Sequence, residues 1–291
     1  MRLGRIRAMR QQSLSRCGVA QIMITNGDIP FGAPNWADCA TTDPDAAEQF
    51  YHKVFGWTSQ DIGNKDSGEY ALERLEGMLV AGIYPLNPEL RAQDVPPHWA
   101  TYFKVRDVDA TLKRVEEAGG ACVDGPFGAF EGGKIAVIRD PVGALVRIWS
   151  GGHGHGSEVM GVAGAMMWNE LCTREPDRAG EFYARVFDLE RQEVEAGPEP
   201  YTILKRDNRP VAGILHQTED MEDRPPSWDV YFASDDIDAT VEAVKKAGGS
   251  VVKEPFDLPV GARIAVLQDP QGATFAVMRW LDIPETAQAA G

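Results

Sequence analysis

The chain has few cysteines, no long apolar run and no excess of basic charge, and each absence narrows what the protein can be. Its four cysteines, Cys17, Cys39, Cys122 and Cys172, have no C-x-x-C spacing, which favours reduced thiols in a cytoplasmic protein over disulfides. No stretch approaches the roughly 18 apolar residues of a membrane span. Lys and Arg number 29 against 44 Asp and Glu, which argues against nucleic acid and anionic membranes as partners.

The remaining composition is that of a folded globular protein. Of the 291 residues, 43% are hydrophobic and 25% are charged, and this length accommodates two ordinary domains. Residues 1–22 carry five arginines and no acid. We expect residues 1–31 to be a disordered extension, and a leader or a misjudged start codon is favoured over a targeting peptide.

A long internal repeat organises the rest of the chain. The segment "NWADCATTDPDAAEQFYHKVFGW" aligns without a gap with "MWNELCTREPDRAGEFYARVFDLE", so that Trp36 matches Trp168. A repeat of this length indicates duplicated domains rather than solenoid units, whose periods are about 20–50 residues. The predicted units are a first domain at 32–150, a Gly- and His-rich linker at 151–162, a second domain at 163–282 and a tail at 283–291. His153 and His155 in the linker are too few for a closed metal site.

Each half contains a fainter repeat of its own. "DPDA" at 43–46 is answered by "DVDA" at 107–110, and each follows a strand-like stretch and opens a helix with an Asp N-cap. Strand-like runs come after each helix, and "DPVG" forms a turn before the last one. The pattern therefore predicts an α+β fold of four modules, each a strand, a helix and then two or three strands.

These motifs resemble the vicinal oxygen chelate superfamily, which includes glyoxalase I, bleomycin-resistance proteins and extradiol dioxygenases. F-Y-x-x-V-F on the first helix and D-P-x-G before the last strand occur in both halves, and "GAPNWADCATTD", "WNEL" and "DPQGA" are similar to two-domain glyoxylase-type members. The resemblance implies βαβββ modules that form curved, U-shaped mixed sheets with helices on the convex side. The concave side of each sheet would hold a ligand.

The resemblance also shows where a divalent ion would be bound in the metalloenzymes. The corresponding positions here are Trp36 and Trp168; Ala81 or Gly82 and Ala212 or Gly213; Ala100 and Asp229; Arg147 and Ala276. A catalytic divalent ion needs about three N, O or S donors, and these positions supply at most Asp229. We therefore expect no metal and no other cofactor.

Strand alternation gives a second view of the concave troughs. If the residues at these positions face inward, so do their neighbours two residues along each strand. The candidate catalytic residues are Asp38 and Glu170 as general bases and Tyr102 and Tyr231 as proton donors. The candidate ligand-binding residues are Trp36, His98, Arg147, Trp149, Trp168, Asp229 and Met278.

Structural roles compete with these assignments. Trp36 and Trp168 would fill the troughs even without a ligand, and His98 suits a rim position better than that of a base. Arg147 is a candidate internal partner for the acids. A carboxylate in a partly apolar trough is costly unless it is paired, solvated or functional, so Asp38 and Glu170 remain the strongest candidates.

The sequence leaves two classes of function open. One is a metal-independent enzyme, either a glyoxalase-like lyase or a natural-product tailoring enzyme, that transfers protons through Asp38 or Glu170. The other is a protein that sequesters a small molecule, such as an antibiotic, by aromatic stacking and acidic side chains. In both cases we expect a cytoplasmic monomer or homodimer with a small-molecule ligand.

Overall fold

The computed structural model describes residues 24–25, 29–63, 69–128, 132–151, 156–195, 200–218, 221 and 224–281. The first half comprises β1 (Ile24–Thr25), β2 (Pro34–Thr41), α1 (Pro44–Phe55), β3 (Thr58–Asp61), β4 (Ala71–Leu75), β5 (Met78–Pro85), α2 (Pro88–Arg91), β6 (His98–Lys104), α3 (Val108–Glu117), β7 (Ala121–Gly128), β8 (Lys134–Arg139) and β9 (Leu145–Ser150). The second half comprises β10 (Val159–Met160), β11 (Met166–Thr173), α4 (Pro176–Phe187), β12 (Glu190–Glu195), β13 (Pro200–Arg206), β14 (Arg209–His216), β15 (Ser227–Ala233), α5 (Ile237–Lys246), β16 (Ser250–Leu258), β17 (Ala262–Gln268) and β18 (Thr274–Trp280).

Each half forms one curved, mixed sheet of eight strands. The strand order is β3-β4-β5-β2-β6-β9-β8-β7 in the first sheet and β12-β13-β14-β11-β15-β18-β17-β16 in the second. The first strands of the two modules in each half, β2 with β6 and β11 with β15, pair antiparallel at the centre. Both sheets therefore close within their own half, and the predicted α+β fold of tandem βαβββ modules is confirmed.

The helix boundaries follow the local signals in the sequence. The Asp43 carboxylate accepts a hydrogen bond from the Ala46 amide at 3.1 Å, Pro44 occupies the first turn, and Gly56 ends α1 with φ of 75°, where a residue with a side chain would be strained. Asp107 and Asp236 cap α3 and α5 in the same way. The N-cap of α4 is Glu175, whose side chain makes no capping hydrogen bond.

The apolar cores lie between the two sheets and are shared by the halves. Helices α1 and α5 pack in one core, where Phe50 and Tyr51 of the first half contact Phe275 of the second, and Phe55 contacts Phe232. A second core joins α3 and α4 in the same manner. The inward alternation predicted for the strands is borne out here, because the opposite strand faces are buried in these cores: Thr101, Phe103, Val146, Ile148, Val230, Phe232, Phe275 and Val277.

Two polar links cross the seam between the halves at equivalent positions. Tyr51 of the first F-Y motif donates to Asp269 at 3.1 Å and accepts from Trp99 Nε1 at 2.8 Å. Tyr183 of the second F-Y motif donates to Asp140 at 2.9 Å, and Trp228 donates to it at 2.8 Å. The aspartate of each D-P-x-G turn thus binds the tyrosine of the other half as well as the amides of its own turn.

The ends of the halves meet in a short ribbon that the composition did not predict. Strand β1, within the expected extension, pairs antiparallel with β10, within the expected linker. Ile29 is buried in the core of α1 and α5, and the Phe31 ring lies under the Arg106 guanidinium at 4.2 Å. Residues 1–23 and 26–28 lie outside the described residues.

Some sequence expectations concern single side chains in these segments. Cys39, Cys122 and Cys172 are free thiols. Cys17, His153 and His155 are not among the described residues. In the described part of the chain, no helix is both long enough and apolar enough to span a bilayer.

Candidate active site

The first trough contains a hydrogen-bonded chain that ends on a buried carboxylate. Trp36 Nε1 donates to the Tyr70 hydroxyl at 3.1 Å, and Tyr70 donates to Asp38 Oδ2 at 3.3 Å. Tyr102, on the adjacent strand β6, donates to the same oxygen at 2.5 Å. Asp38 is only 1% exposed, so these partners replace water around its charge.

The second trough repeats this chain residue for residue. Trp168 Nε1 donates to the Tyr201 hydroxyl at 2.9 Å, and Tyr201 donates to Glu170 Oε2 at 2.6 Å. Tyr231 donates to Glu170 Oε1 at 2.7 Å. A Trp-Tyr-carboxylate-Tyr network is therefore common to both halves. Glu170 is 8% exposed.

Tyr70 and Tyr201 reach the carboxylates because the neighbouring strands carry glycine. A Cβ atom on Gly82 would lie 2.1 Å from the Tyr70 hydroxyl, and one on Gly213 would lie 1.7 Å from the Tyr201 hydroxyl. Neither distance allows a side chain, because real Cβ atoms stay beyond about 3 Å from such atoms. At these two positions a phenol from the next strand takes the place of the strand's own side chain.

Arg147 sets the first trough apart. It lies on β9 beside Tyr102, forms an ion pair with Asp38 through Nη1, and also donates to the Tyr102 hydroxyl at 3.0 Å. Its Nη2 donates to the Tyr84 hydroxyl. Arg147 is therefore an internal partner of a buried acid, which is the structural role considered for it from the sequence.

In the second trough, none of the described cationic side chains contacts Glu170. Ala276 occupies the strand position of Arg147, beside Tyr231. Arg224, from the segment before β15, pairs instead with Asp229 and donates to Ser227 at 2.8 Å. Asp229 lies directly opposite Glu170 on the antiparallel strands, so the second trough holds two carboxyl groups and a single arginine among its described residues.

Burial dominates the proton affinities in both troughs. It raises the pKa of Asp38, although Arg147 opposes the shift. It also raises the pKa of Glu170, where the Tyr201 and Tyr231 hydroxyls and the Arg224 charge oppose the shift and the Asp229 charge adds to it. Desolvation raises the pKa of Tyr102 and Tyr231 well above the usual value, so both phenols remain protonated donors at neutral pH.

The remaining predicted residues lie on the same concave surfaces. His98 is the first residue of β6, and its Nδ1 lies 2.9 Å from the Pro96 carbonyl oxygen. Trp149 donates to Asn35 at 2.7 Å and packs with Trp36 and Tyr102. Met278 packs with Tyr231 in the second trough. Strand alternation thus places these side chains in the troughs, while their roles in binding stay predictions.

Sequence reasoning missed three tyrosines of the networks, Tyr70, Tyr84 and Tyr201. All three belong to strands β4, β5 and β13 or to their immediate starts, away from the central strands from which the candidates were chosen. The sequence did contain a signal for two of them. Tyr70 and Tyr201 stand at equivalent positions of the repeat, and each lies against a glycine of the neighbouring strand.

The donors in the troughs do not fit a divalent ion of the kind found in metal-dependent members of such folds. In the described residues there is no cluster of three or more His, Cys, Asp or Glu side chains that could hold a metal. Trp36, Ala100 and Arg147 occupy three of the expected ligand positions, and the guanidinium of Arg147 would repel a cation. In the second trough, Arg224 already neutralises Asp229.

Comparisons with known proteins agree with the architecture. The model of the Glyoxalase/Bleomycin resistance protein/Dioxygenase superfamily matches residues 33–148 and 165–277. The chain is 40% identical over 250 residues to "Putative glyoxylase CFP32" of Mycobacterium bovis, covering 85% of this chain and 95% of that protein. It is 36% identical over 257 residues to "Anthracycline biosynthesis protein DnrV" of Streptomyces peucetius, covering 85% of this chain and 93% of that protein.

Solved structures with low sequence identity share the fold. The Mn(II)-bound glyoxalase from Novosphingobium aromaticivorans superposes with a TM-score of 0.59 at 16% identity, covering 87% of this chain and 84% of that one. A catechol 2,3-dioxygenase superposes with a TM-score of 0.58 at 11% identity, covering 88% and 91%. At such identities the likeness concerns the fold alone.

Proposed function

The chain belongs to the Glyoxalase/Bleomycin resistance protein/Dioxygenase superfamily, and within it we propose that the protein is an enzyme that transfers a proton in its second trough through Glu170. The proposal assigns no resident metal ion to this step. It rests on one observation: Glu170 is a buried carboxyl group held by two phenols, and no cation among the described residues contacts it.

The environment of Glu170 suits a general base. An efficient base has a pKa near the working pH, and burial moves the pKa of Glu170 upward from its ordinary value. Asp38 is less suited, because Arg147 stabilises its charged form. The two carboxyl groups are equivalent in position, and within the part of the chain that the structure describes only Asp38 forms an ion pair.

The proposed step uses the groups already in contact. Glu170 takes a proton from a C–H or O–H bond of the substrate, and the bonding electrons move onto a substrate oxygen. Tyr231 or Tyr201, which donates to Glu170 in the resting state, turns its O–H toward that oxygen as negative charge develops there. Fixed hydrogen-bond donors of this kind can replace the Lewis acid of a metalloenzyme.

The lining of the trough favours an apolar, ring-containing substrate. Around Tyr231 lie Met278 and Ile264, with Trp168, Phe256 and Trp280 packed against them, and aromatic and sulfur-containing side chains stack well on planar rings. The similarity to a protein named for anthracycline biosynthesis supports a polycyclic aromatic substrate. The similarity to a protein named as a glyoxylase supports lyase or isomerase chemistry.

The test combines metal analysis with turnover. Purified protein is assayed with methylglyoxal, with and without thiol, and with aromatic hydroxyketones for exchange of substrate hydrogen with deuterated water. We expect activity that survives chelation and falls about 10²–10⁴-fold in Glu170→Gln. Asp38→Asn, at the equivalent position of the first trough, is the matched comparison and should reduce the rate far less.

Three results would overturn the proposal. Activity lost on chelation and restored by added Ni, Zn, Fe or Mn would establish a metal enzyme. An unchanged rate in Glu170→Gln would remove the base. Tight retention of an aromatic ligand without turnover of any substrate in the panel would favour a sequestering protein instead.

A further inference from the structure

We infer that the first trough is a separate receptor for an oxygen anion carried on a planar ring, such as a carboxylate, enolate or phenolate, and that Arg147 and Tyr84 recognise it. The inference does not depend on Glu170, which lies in the other half. It follows from the hydrogen-bond donors that Arg147 and Tyr84 leave unused.

Arg147 has more donors than its partners accept. A guanidinium group carries five N–H bonds in a fixed plane. Two from Nη1 go to Asp38 and Tyr102, and one from Nη2 goes to Tyr84. The Nε–H and the second Nη2–H have no partner in the described part of the chain, and the side chain is 17% exposed. An arginine that served only Asp38 would not need this geometry.

Tyr84 adds a second donor beside the guanidinium. Its hydroxyl oxygen accepts from Arg147 Nη2, so its own O–H proton is available. Burial raises the pKa of Tyr84 to about 12, which keeps the phenol protonated at neutral pH. An incoming oxygen anion would accept from the Arg147 guanidinium and the Tyr84 hydroxyl together, which is the paired, charge-assisted geometry that carboxylates prefer.

Small side chains lie next to these donors in the strand register. Ala40 lies between Tyr84 and His98 in the strand register, and Ala100 lies opposite Asp38. Tyr70 stacks on Tyr84 with ring centres 5.9 Å apart, which offers an aromatic wall. A planar ring fits against such a wall.

The second half lacks both donors of this receptor. The residues at the equivalent positions are Cys172 for Ala40, Leu215 for Tyr84, Ser227 for His98, Asp229 for Ala100 and Ala276 for Arg147. An anion entering the second trough would meet Glu170 and Asp229 instead. The net charge of −15 also disfavours anions elsewhere on the surface.

Calorimetric titration of the full chain with 2-naphthoate and its neutral analogue 2-naphthamide tests the inference. The two compounds have nearly the same shape and differ in charge. We expect 2-naphthoate to bind about 10–100-fold more tightly, the usual effect of hydrogen bonds to a charged group. Arg147→Lys should keep part of this preference, since the point charge remains without the planar fork.

Further variants separate recognition from folding. Asp38→Asn/Arg147→Met removes both charges together, keeps the trough neutral and should abolish the preference, as should Arg147→Met if it folds. Arg224→Met and Glu170→Gln should leave the preference for 2-naphthoate unchanged. Loss of the preference in either of these variants would place the anion in the second trough. Equal binding of the two compounds, binding of neither at millimolar concentration, or a preference that survives in the double variant would overturn the inference.

Discussion

The two troughs share a scaffold and differ in how a buried carboxylate is compensated. In both, a Trp and two Tyr hydroxyls surround the acid. In the first, Arg147 adds a positive charge, whereas the second has Ala276 at that position. The residue at this one strand position therefore decides how the buried acid is compensated. With Arg147 the acid forms an ion pair, and with Ala276 its pKa is set mainly by burial. A duplicated domain can diverge in chemistry without a change of fold.

The shared cores explain why such divergence is tolerated. The large apolar cores lie on the convex sides of the sheets, where helices α1, α3, α4 and α5 are buried, and they supply most of the stabilising apolar contacts. The concave sides contribute much smaller apolar clusters. Substitutions in the troughs therefore leave most of the buried apolar area untouched, and stability does not force the two halves to keep the same site.

The largest effect should come from breaking the ion pair of the first trough. Arg147→Met leaves the Asp38 charge buried, and we expect the free energy of unfolding to fall by about 3–5 kcal/mol near neutral pH. The loss should shrink as pH is lowered, because protonated Asp38 needs no counter-charge. Urea unfolding across pH measures both effects. Asp38→Asn/Arg147→Met is the control and should cost less than Arg147→Met alone.

Glu170→Gln provides the matched change in the second trough. No ion pair of Glu170 is seen among the described residues, and because burial raises its pKa, loss of the buried charge offsets part of the cost of the altered hydrogen bonds, so the net change should stay within about 1 kcal/mol. Equal costs for Arg147→Met and Glu170→Gln at neutral pH would show that the arginine does not distinguish the troughs energetically.

A second difference between the halves predicts a pH effect. Glu73 is buried at a position where the second half has Leu204. One oxygen accepts from Ser59 at 3.0 Å, and the other has no partner among the described residues. Burial raises its pKa to about 7. Because the folded state holds this proton more tightly than the unfolded chain, Glu73 should cost no stability below about pH 4.5 and should destabilise progressively as pH rises to about 7.

Glu73→Gln and Glu73→Leu test this effect. Relative to either variant, the wild-type free energy of unfolding should fall by up to about 3 kcal/mol between these pH values. Leu204→Ala, which removes the equivalent side chain of the second half, should be destabilising by an amount that does not depend on pH. A difference between wild type and Glu73→Gln that is constant with pH would contradict the prediction.

The sequence was sufficient for the modules but not for the whole of each network. Repeat alignment and Asp N-caps predicted the order of elements, and strand alternation placed Asp38, Tyr102 and Arg147 on one surface. These residues lie on central strands whose pairing follows directly from the module pattern. Tyr70 and Tyr201 come from flanking strands, whose register depends on early loops of different length in the two halves.

The packing between the halves was also beyond the sequence pattern. The repeat predicted two domains without indicating how they pack, and the helices of each half complete a core with the other half. Amphipathic periodicity identifies the face of α1 that is buried, but Phe50 carries no information about whether Phe275 or a residue of its own half covers it. Likewise, the D-P-x-G aspartates signal a turn without revealing the tyrosine that binds them.

The two equivalent tyrosine links across the seam between the halves should contribute about equally to stability, in contrast to the two troughs. Tyr51→Phe and Tyr183→Phe each remove the hydroxyl between a buried Asp and a buried Trp Nε1. We expect each to lower the free energy of unfolding by about 1–3 kcal/mol, since the partners are left unsatisfied. Thermal and urea unfolding measure this loss. A large asymmetry between the two variants would indicate that one core governs unfolding.

The smallest effect should come from the removal of residues 1–22. A chain that begins at Met23 keeps β1, which pairs with β10, and should match the full chain within about 0.5 kcal/mol. A chain that begins at Gly32 also loses Ile29 from the core and Phe31 from Arg106, and burying such an apolar side chain contributes about 1.5–3 kcal/mol. Melting temperatures of the two truncations against the full chain measure the difference. Since the core that holds Ile29 joins both sheets, the longer truncation should destabilise the molecule as one cooperative unit, and a separate early transition of the first half would contradict the shared core.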